Sequence, residues 1–143
     1  MTATNIPLHI QYLDNRQNIQ PIISVSIARK EYRMIVDTGA SHSCLSPQIL
    51  GNRYQQSAIN VGDKVLSASE NVNTPTLMCK LPGIRIGDIY LRQYSFLILD
   101  ISHINEMLKE LQLPPVAGLI GSDILQKYHA LIDYGRQRLT LYR

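Results

Sequence analysis

A chain of 143 residues, 45% hydrophobic and 17% charged, has the length of one domain, here read as residues 1–143, and enough apolar residues to bury a core. The net charge is only +3, and the basic residues are scattered apart from Arg136, Arg138 and Arg143, so the chain lacks the basic stripe of a nucleic-acid binder. No apolar run approaches a membrane span, and the start, MTATNIPLHI, lacks the basic region and apolar run of a secretory signal. A soluble, cytoplasmic protein is therefore expected, with no nucleic-acid and no membrane partner.

In chain order, IPLHIQYL alternates apolar and polar residues and reads as a strand. PIISVSIA reads as the next, with DNRQN a polar turn between them. EYRMIV is a third strand, more continuously apolar toward its end. Ser46-Pro47 opens a short turn or helix through Leu50, since Pro is well tolerated at a first helical position. From Ile59 to Leu81 the pattern is strand, polar loop, strand, a hairpin with a long tip. IRIGDIYLRQYSFLILD reads as two more strands around Gly87-Asp88 and Arg92-Gln93.

SHINEMLKELQL breaks the β rhythm. Ile104, Met107, Leu108 and Leu111 fall at i, i+3, i+4 and i+7, one apolar helical face, with Ser102 a candidate N-cap and Pro114-Pro115 a stop. VAGLIG is an apolar strand closed by Gly121. SDILQKY is a short helix, with Ser122 or Asp123 placed to satisfy its free N–H groups. HALIDY and RLTLY form a last hairpin around Gly135. The sum is mainly β with two short helices.

The stretch MIVDTGASHSC carries the chemistry. An apolar strand, Met34 to Val36, runs into Asp37, Thr38, Gly39 and Ala40. Gly39 lets the backbone turn where a side chain would clash, Thr38 offers a hydroxyl to lock the loop, and Ala40 allows close approach. The same residues also fit a strand that ends in an Asx-type turn. Ser41 and Ser43 lack a His-Asp partner pattern, so a serine nucleophile is not expected. His42 reads as a strand-side histidine and Cys44 as a small core filler. Cys44 and Cys79 form no C-x-x-C and have no His at metal spacing; one disulfide is open to them, but two reduced thiols are expected, with no metal and no cofactor.

A second stretch, PVAGLIGSDILQKYHALIDY, follows later with an apolar strand, a Gly and a helix. Together the two stretches resemble the retropepsin-like aspartic proteases of retroviruses, retrotransposons and their cellular and bacterial relatives. The resemblance runs from about Ile22 to Tyr142. Its first motif is Ile35 to Ser41 with Leu45 following, its second Leu119 to Tyr128, and HALIDYGRQRLTL is very like the end of retrotransposon protease domains. It implies a closed or partly open β-barrel of the retropepsin (acid protease) type and a peptide or protein substrate.

It also implies a mechanism. Two aspartates hold a water between them and share one proton, because like charges at such range do not both ionise easily. The ionised acid takes a proton from the water, and the protonated one polarises the peptide carbonyl. Hydrolysis with an acidic optimum follows. This chain supplies one Asp-Thr-Gly, and its other acids, among them Asp14, Asp63, Asp88, Asp100, Asp123 and Asp133, are not followed by Ser/Thr-Gly. Activity then demands a homodimer, with Asp37 from each subunit at a two-fold axis. By the same resemblance Thr38 bonds across the axis and Gly39 positions the dyad and the substrate backbone.

The hairpin from Val65 to Met78 would be the flap, with Ser67, Ala68, Ser69, Glu70 and Asn71 at its tip, where viral flaps are glycine-rich and this one has no glycine. Val36, the flap strands and the segment near Pro114–Ala117 are candidate groove lining, and the helix over Ile104–Leu111 is extra relative to the shortest viral enzymes. Asp123 is expected to cap its helix rather than serve as a second catalytic acid. Two other functions compete. A catalytically silent member would use the groove as a peptide-binding or dimerisation module, favoured only by the glycine-free flap. A small β-barrel binding nucleic acid is disfavoured by the weak charge and the lack of an aromatic stripe.

Overall fold

The computed structural model describes residues 2–14, 17–55, 59–60 and 77–143, with side chains described for all of these except 52–55 and 59–60. The strands are β1 (Ala3–Pro7), β2 (His9–Tyr12), β3 (Ile19–Ile27), β4 (Lys30–Val36), β5 (Cys44–Leu45), β6 (Ile59–Asn60), β7 (Leu77–Ile86), β8 (Ile89–Ile98), β9 (Gly118–Ile120), β10 (Leu131–Asp133) and β11 (Arg138–Tyr142). The helices are α1 (Pro47–Gln55), α2 (Ser102–Glu110) and α3 (Ser122–Lys127), one more than the two expected. The addition is α1, where Pro47 starts the helix as expected and Gly51, at φ 62° and ψ 175°, interrupts it.

β3, β4, β9, β5, β8 and β7 pair in that order, and β7 returns to β3 through Ser26↔Arg85 and Ile27↔Ile84, which closes a barrel. β1, β11 and β10 form a separate antiparallel sheet. The single strand read over IPLHIQYL is therefore two, one in each sheet. Burial still alternates through the corner, with Thr4, Ile6 and Leu8 inside, and the Leu8 N–H donates to the Gln137 carbonyl at 2.9 Å. Nor does the chain turn at Arg92-Gln93. β8 runs straight through it, paired with β7 as Pro82↔Gln93 and Ile84↔Leu91, and the one turn of that hairpin is at Gly87-Asp88.

The continuous apolar run at the end of β4 has a physical reason. Met34 and Val36 point into the barrel, where they join Val25, Leu45, Phe96 and Ile120. Ile35 points outward into a second cluster with Ile22, Cys44, Leu97, Leu108, Val116 and Leu119. Both faces of this part of the sheet are covered, so alternation is lost from the sequence. α2 is the outer cover. Its Leu108 is fully buried and Ile104 packs against the cluster, while Met107 and Leu111 of the same expected apolar face remain exposed. Burying one such leucine stabilises by about 1.5–3 kcal/mol.

Ser102 does not cap α2. It is the first helical residue, and its N–H donates to Asp100 Oδ1 at 2.9 Å. Bonds from the Ser102 side chain and backbone hold the Asp100 carboxyl below the usual carboxylate range. Ser67, Ala68, Ser69, Glu70 and Asn71, expected at the tip of a flap, lie outside the described residues. β6 and β7, on either side of that segment, pair antiparallel at Ile59↔Met78 and Asn60↔Leu77.

Candidate active site

Asp37 follows directly on β4, in the loop that connects β4 to β5. β9, from much later in the chain, is inserted between those two strands, parallel to β4 (Met34↔Gly118, Val36↔Ile120) and antiparallel to β5 (Cys44↔Leu119, Leu45↔Gly118). Close approach is what the glycines of the second motif provide. A Cβ on Gly118 would stand 1.9 Å from the Cys44 carbonyl oxygen, and one on Gly121 would stand 2.6 Å from that of Ala40. The two motifs thus pack backbone on backbone.

Within the loop, Asp37 Oδ1 accepts the Gly39 N–H at 2.9 Å, and the Ala40 N–H donates to the Asp37 carbonyl at 3.1 Å. The expected Asx-type turn is therefore present, and it shapes the loop around the acid. Oδ2 of Asp37 accepts no bond from the described residues. Thr38 and Gly39 are exposed at the apex, whereas Asp37 and Ala40 are half-buried and Ser43 to Ser46 are buried. Asp37, Thr38, Gly39 and Ala40 are thereby brought together on one projecting turn.

The stretch Ile120–Asp123 anchors the loop from beneath. The Asp37 N–H donates to the Ile120 carbonyl at 2.9 Å, and the Ser122 N–H and Oγ–H donate to the Ala40 carbonyl at 2.8 and 3.1 Å. The Gly121 N–H donates to Ser43 Oγ at 2.9 Å. Asp123 Oδ1 accepts both the Ser43 N–H at 2.9 Å and the Ser43 hydroxyl at 2.8 Å, and Oδ2 accepts the Tyr94 hydroxyl at 2.6 Å. The capping role expected for Asp123 or Ser122 is not what the structure shows. Gly121 is the N-cap of α3, with no side-chain cap bond, and both Asp123 oxygens are turned to the loop and to β8. Burial, and then the bond to Asp123, push the Tyr94 phenol above its ordinary range. Tyr94 in turn stacks edge-on against Phe96 at 5.2 Å.

Sequence reasoning missed Ser43 and Tyr94. Ser43 lies just beyond the motif and 80 residues from its acid, and Tyr94 sits in an alternating strand like any other aromatic. His42 Nδ1 lies 3.0 Å from Ser41 Oγ. Cys44 and Cys79 are buried and not joined in a disulfide, as expected for two reduced thiols. Val36 is in the barrel core, and Pro114 to Ala117 line a cavity of about 850 Å³ together with Tyr32, Arg33, Ile49 and α2; Asp37 is not part of its lining. Among the described residues no three His, Cys, Asp or Glu side chains converge as metal ligands, and no helix is long and apolar enough to cross a membrane.

Comparison with solved structures finds the same fold in distant proteins. A retropepsin-like aspartic protease from Rickettsia conorii is 15% identical, with 99% of this chain and 91% of that chain covered and a TM-score of 0.56. The retroviral protease-like domain of Ddi1 from Leishmania major is 14% identical, with 84% and 86% covered and a TM-score of 0.55. No curated protein matches the chain by sequence. The family model described as "gag-polyprotein putative aspartyl protease" matches residues 23–127, a span that holds both the Asp37 loop and the glycine-rich strand and helix that anchor it. On that match, over well more than half its length, the chain belongs to the gag-polyprotein aspartyl protease family, with the retropepsin-like fold.

Proposed function

We propose that the protein is a homodimeric aspartic endopeptidase whose two Asp37 carboxylates, one from each subunit, activate a water for peptide-bond hydrolysis. One observation carries this reading. Asp37 sits in an anchored loop with one oxygen fixed by the Gly39 amide and the other accepting no bond from the described residues, and its neighbours Thr38 and Gly39 are exposed. A lone structural aspartate has no need of such an apex. A half-site that waits for its counterpart does.

Among the described residues the other acid bonded into the loop is Asp123, and it is not placed to supply the second carboxylate, because it accepts three bonds from Ser43 and Tyr94. The dyad therefore needs a second copy. In the dimer one carboxylate is ionised and removes a proton from the water while the other, protonated, polarises the scissile carbonyl, and a proton is then delivered from the dyad to the leaving nitrogen. Thr38 would bond across the axis and Gly39 would approach the substrate backbone. The flap assigned to Ser67, Ala68, Ser69, Glu70 and Asn71 completes the proposal. In support, the described residues on either side of that segment pair with each other, β6 with β7, at Ile59↔Met78 and Asn60↔Leu77.

The test is a solution mass measurement followed by cleavage of a diverse peptide library by wild type and Asp37→Asn. A dimer is expected, with kcat/KM lower in the variant by about 10²-fold to 10⁴-fold, the range of a lost acid–base group. A protein that is monomeric at every concentration, or equal cleavage by Asp37→Asn, would end this reading.

A further inference from the structure

We propose that Asp123 is a positioning residue for the catalytic loop: its carboxylate ties the return arm of the Asp37 loop, through Ser43, to α3 and to Tyr94 on β8. This rests on the aspartic-protease reading of Asp37 and deepens it. The loop is held at its start, middle and end by one short stretch. Ile120 holds Asp37, Ser122 holds Ala40, and Gly121 with Asp123 hold Ser43. Each of the first two anchors ends on a backbone carbonyl. The last depends on a side chain.

The geometry at Ser43 makes that side chain hard to replace. Ser43 is fully buried, with 0% exposure, so its N–H and hydroxyl have no water to turn to. Its Oγ accepts from Gly121 and donates to Asp123, which passes the tether from the loop to the strand end that carries α3. Three donors converge on the two Asp123 oxygens, a demand that an acceptor-only carboxylate meets completely. An alanine at 123 would leave the Ser43 donors and the Tyr94 hydroxyl unpaired. The inexpensive response is for residues 41–43 to swing toward water, which carries the acid at the loop's other end with them.

An asparagine behaves differently. Its amide oxygen keeps both Ser43 bonds, and its NH₂ donates to a Tyr94 oxygen once that hydroxyl rotates to accept. Asp123→Asn thus separates a positioning group, which needs acceptors in the right place, from a reacting acid, which needs a carboxyl.

The experiment compares wild type, Asp123→Asn, Asp123→Ala, Tyr94→Phe and Asp37→Asn by steady-state cleavage and by amide hydrogen exchange. Asp123→Asn is expected to retain most of the wild-type kcat. Asp123→Ala is expected to lose about 10-fold to 100-fold in kcat with little change in KM, the scale of a small misplacement of a catalytic group. The Ser43 and Gly121 amides should exchange faster in Asp123→Ala while those of β3 and β4 keep their protection. If Asp123→Ala fails to fold, Tyr94→Phe gives the same direction with a smaller effect, because it removes one donor and keeps the ring. An Asp123→Asn protein as inactive as Asp37→Asn would overturn the proposal, as would unchanged exchange at Ser43 and Gly121. If wild type cleaves nothing, the protease reading falls, and the exchange measurement still decides whether Asp123 holds the loop.

Discussion

Cys44 shows how a single residue reports on this site. It lies at the start of β5, against β9, with 1% of its surface exposed. Burial pushes its thiol up from an ordinary 9.0 to about 11, and the nearby Asp37 and Asp123 carboxylates push in the same direction while a bond from the Leu119 backbone opposes them. The thiol therefore ionises more readily in the unfolded chain than in the folded one. Its contribution to stability is complete below pH 9, where both states hold the proton, and is lost as pH rises toward 11. The whole contribution is about 3 kcal/mol, spread over that window. Urea midpoints from pH 7 to 11 should fall more steeply for wild type than for Cys44→Ala. Equal slopes would mean that the thiol is not shielded as the structure has it. The same burial keeps the Cys44 thiol protonated beside the Asp37 loop and so unreactive there, since the thiolate is the nucleophilic form.

At the level of elements, what the sequence made legible was local, and what it hid was pairing. Alternation located the strands, and the glycine before SDILQKY marked the end of β9. Alternation says nothing about which sheet a strand joins, so β1 and β2 read as one strand until Leu8 turned the corner between sheets. The insertion of β9 between β4 and β5 is a non-local pairing, and its only local trace is Gly118, whose missing Cβ makes room for the Cys44 carbonyl. Asp123 was misread for the same reason. An acid in the first turn of a helix is ordinarily explained by that helix, whereas its partners here come from the loop before β5 and from β8. α2 shows the converse. Its period was correct, but its apolar stripe is broader than the face it buries, and a side-chain clamp does the rest. Asn105 donates to the Val116 carbonyl at 3.0 Å and accepts the Val116 N–H at 2.8 Å. That clamp fixes the entry to β9. Asn105→Ala leaves both groups of buried Val116 unpaired, at about 1–3 kcal/mol for each group left without water. The urea midpoint should drop accordingly with an unchanged slope, and cleavage should weaken by less than for Asp37→Asn. No loss of stability would show that α2 covers the barrel without holding β9.

At the scale of the whole molecule, the proposed dyad is a matter of stoichiometry. One chain carries one Asp-Thr-Gly, and among the described residues the only other acid bonded into that neighbourhood is Asp123, which is spent on Ser43 and Tyr94. If catalysis needs two Asp37 carboxylates, the active species scales with the square of the competent fraction rather than with the fraction itself. Wild type and Asp37→Asn unfolded together and refolded as an equal mixture would pair at random, provided the asparagine leaves dimerisation intact. About one quarter of the dimers would then carry two aspartates, so activity per total protein should fall to about one quarter of that of wild type alone. Independent active sites, one per chain, would instead give about one half. Dilution of wild type alone supplies a second measure, since specific activity should fall once the concentration drops below the dimer dissociation constant. A value near one half with no dilution effect would place the whole reaction within a single chain, and the Asp37 loop would then have to find its second acid in that same chain, from a group other than the fully bonded Asp123.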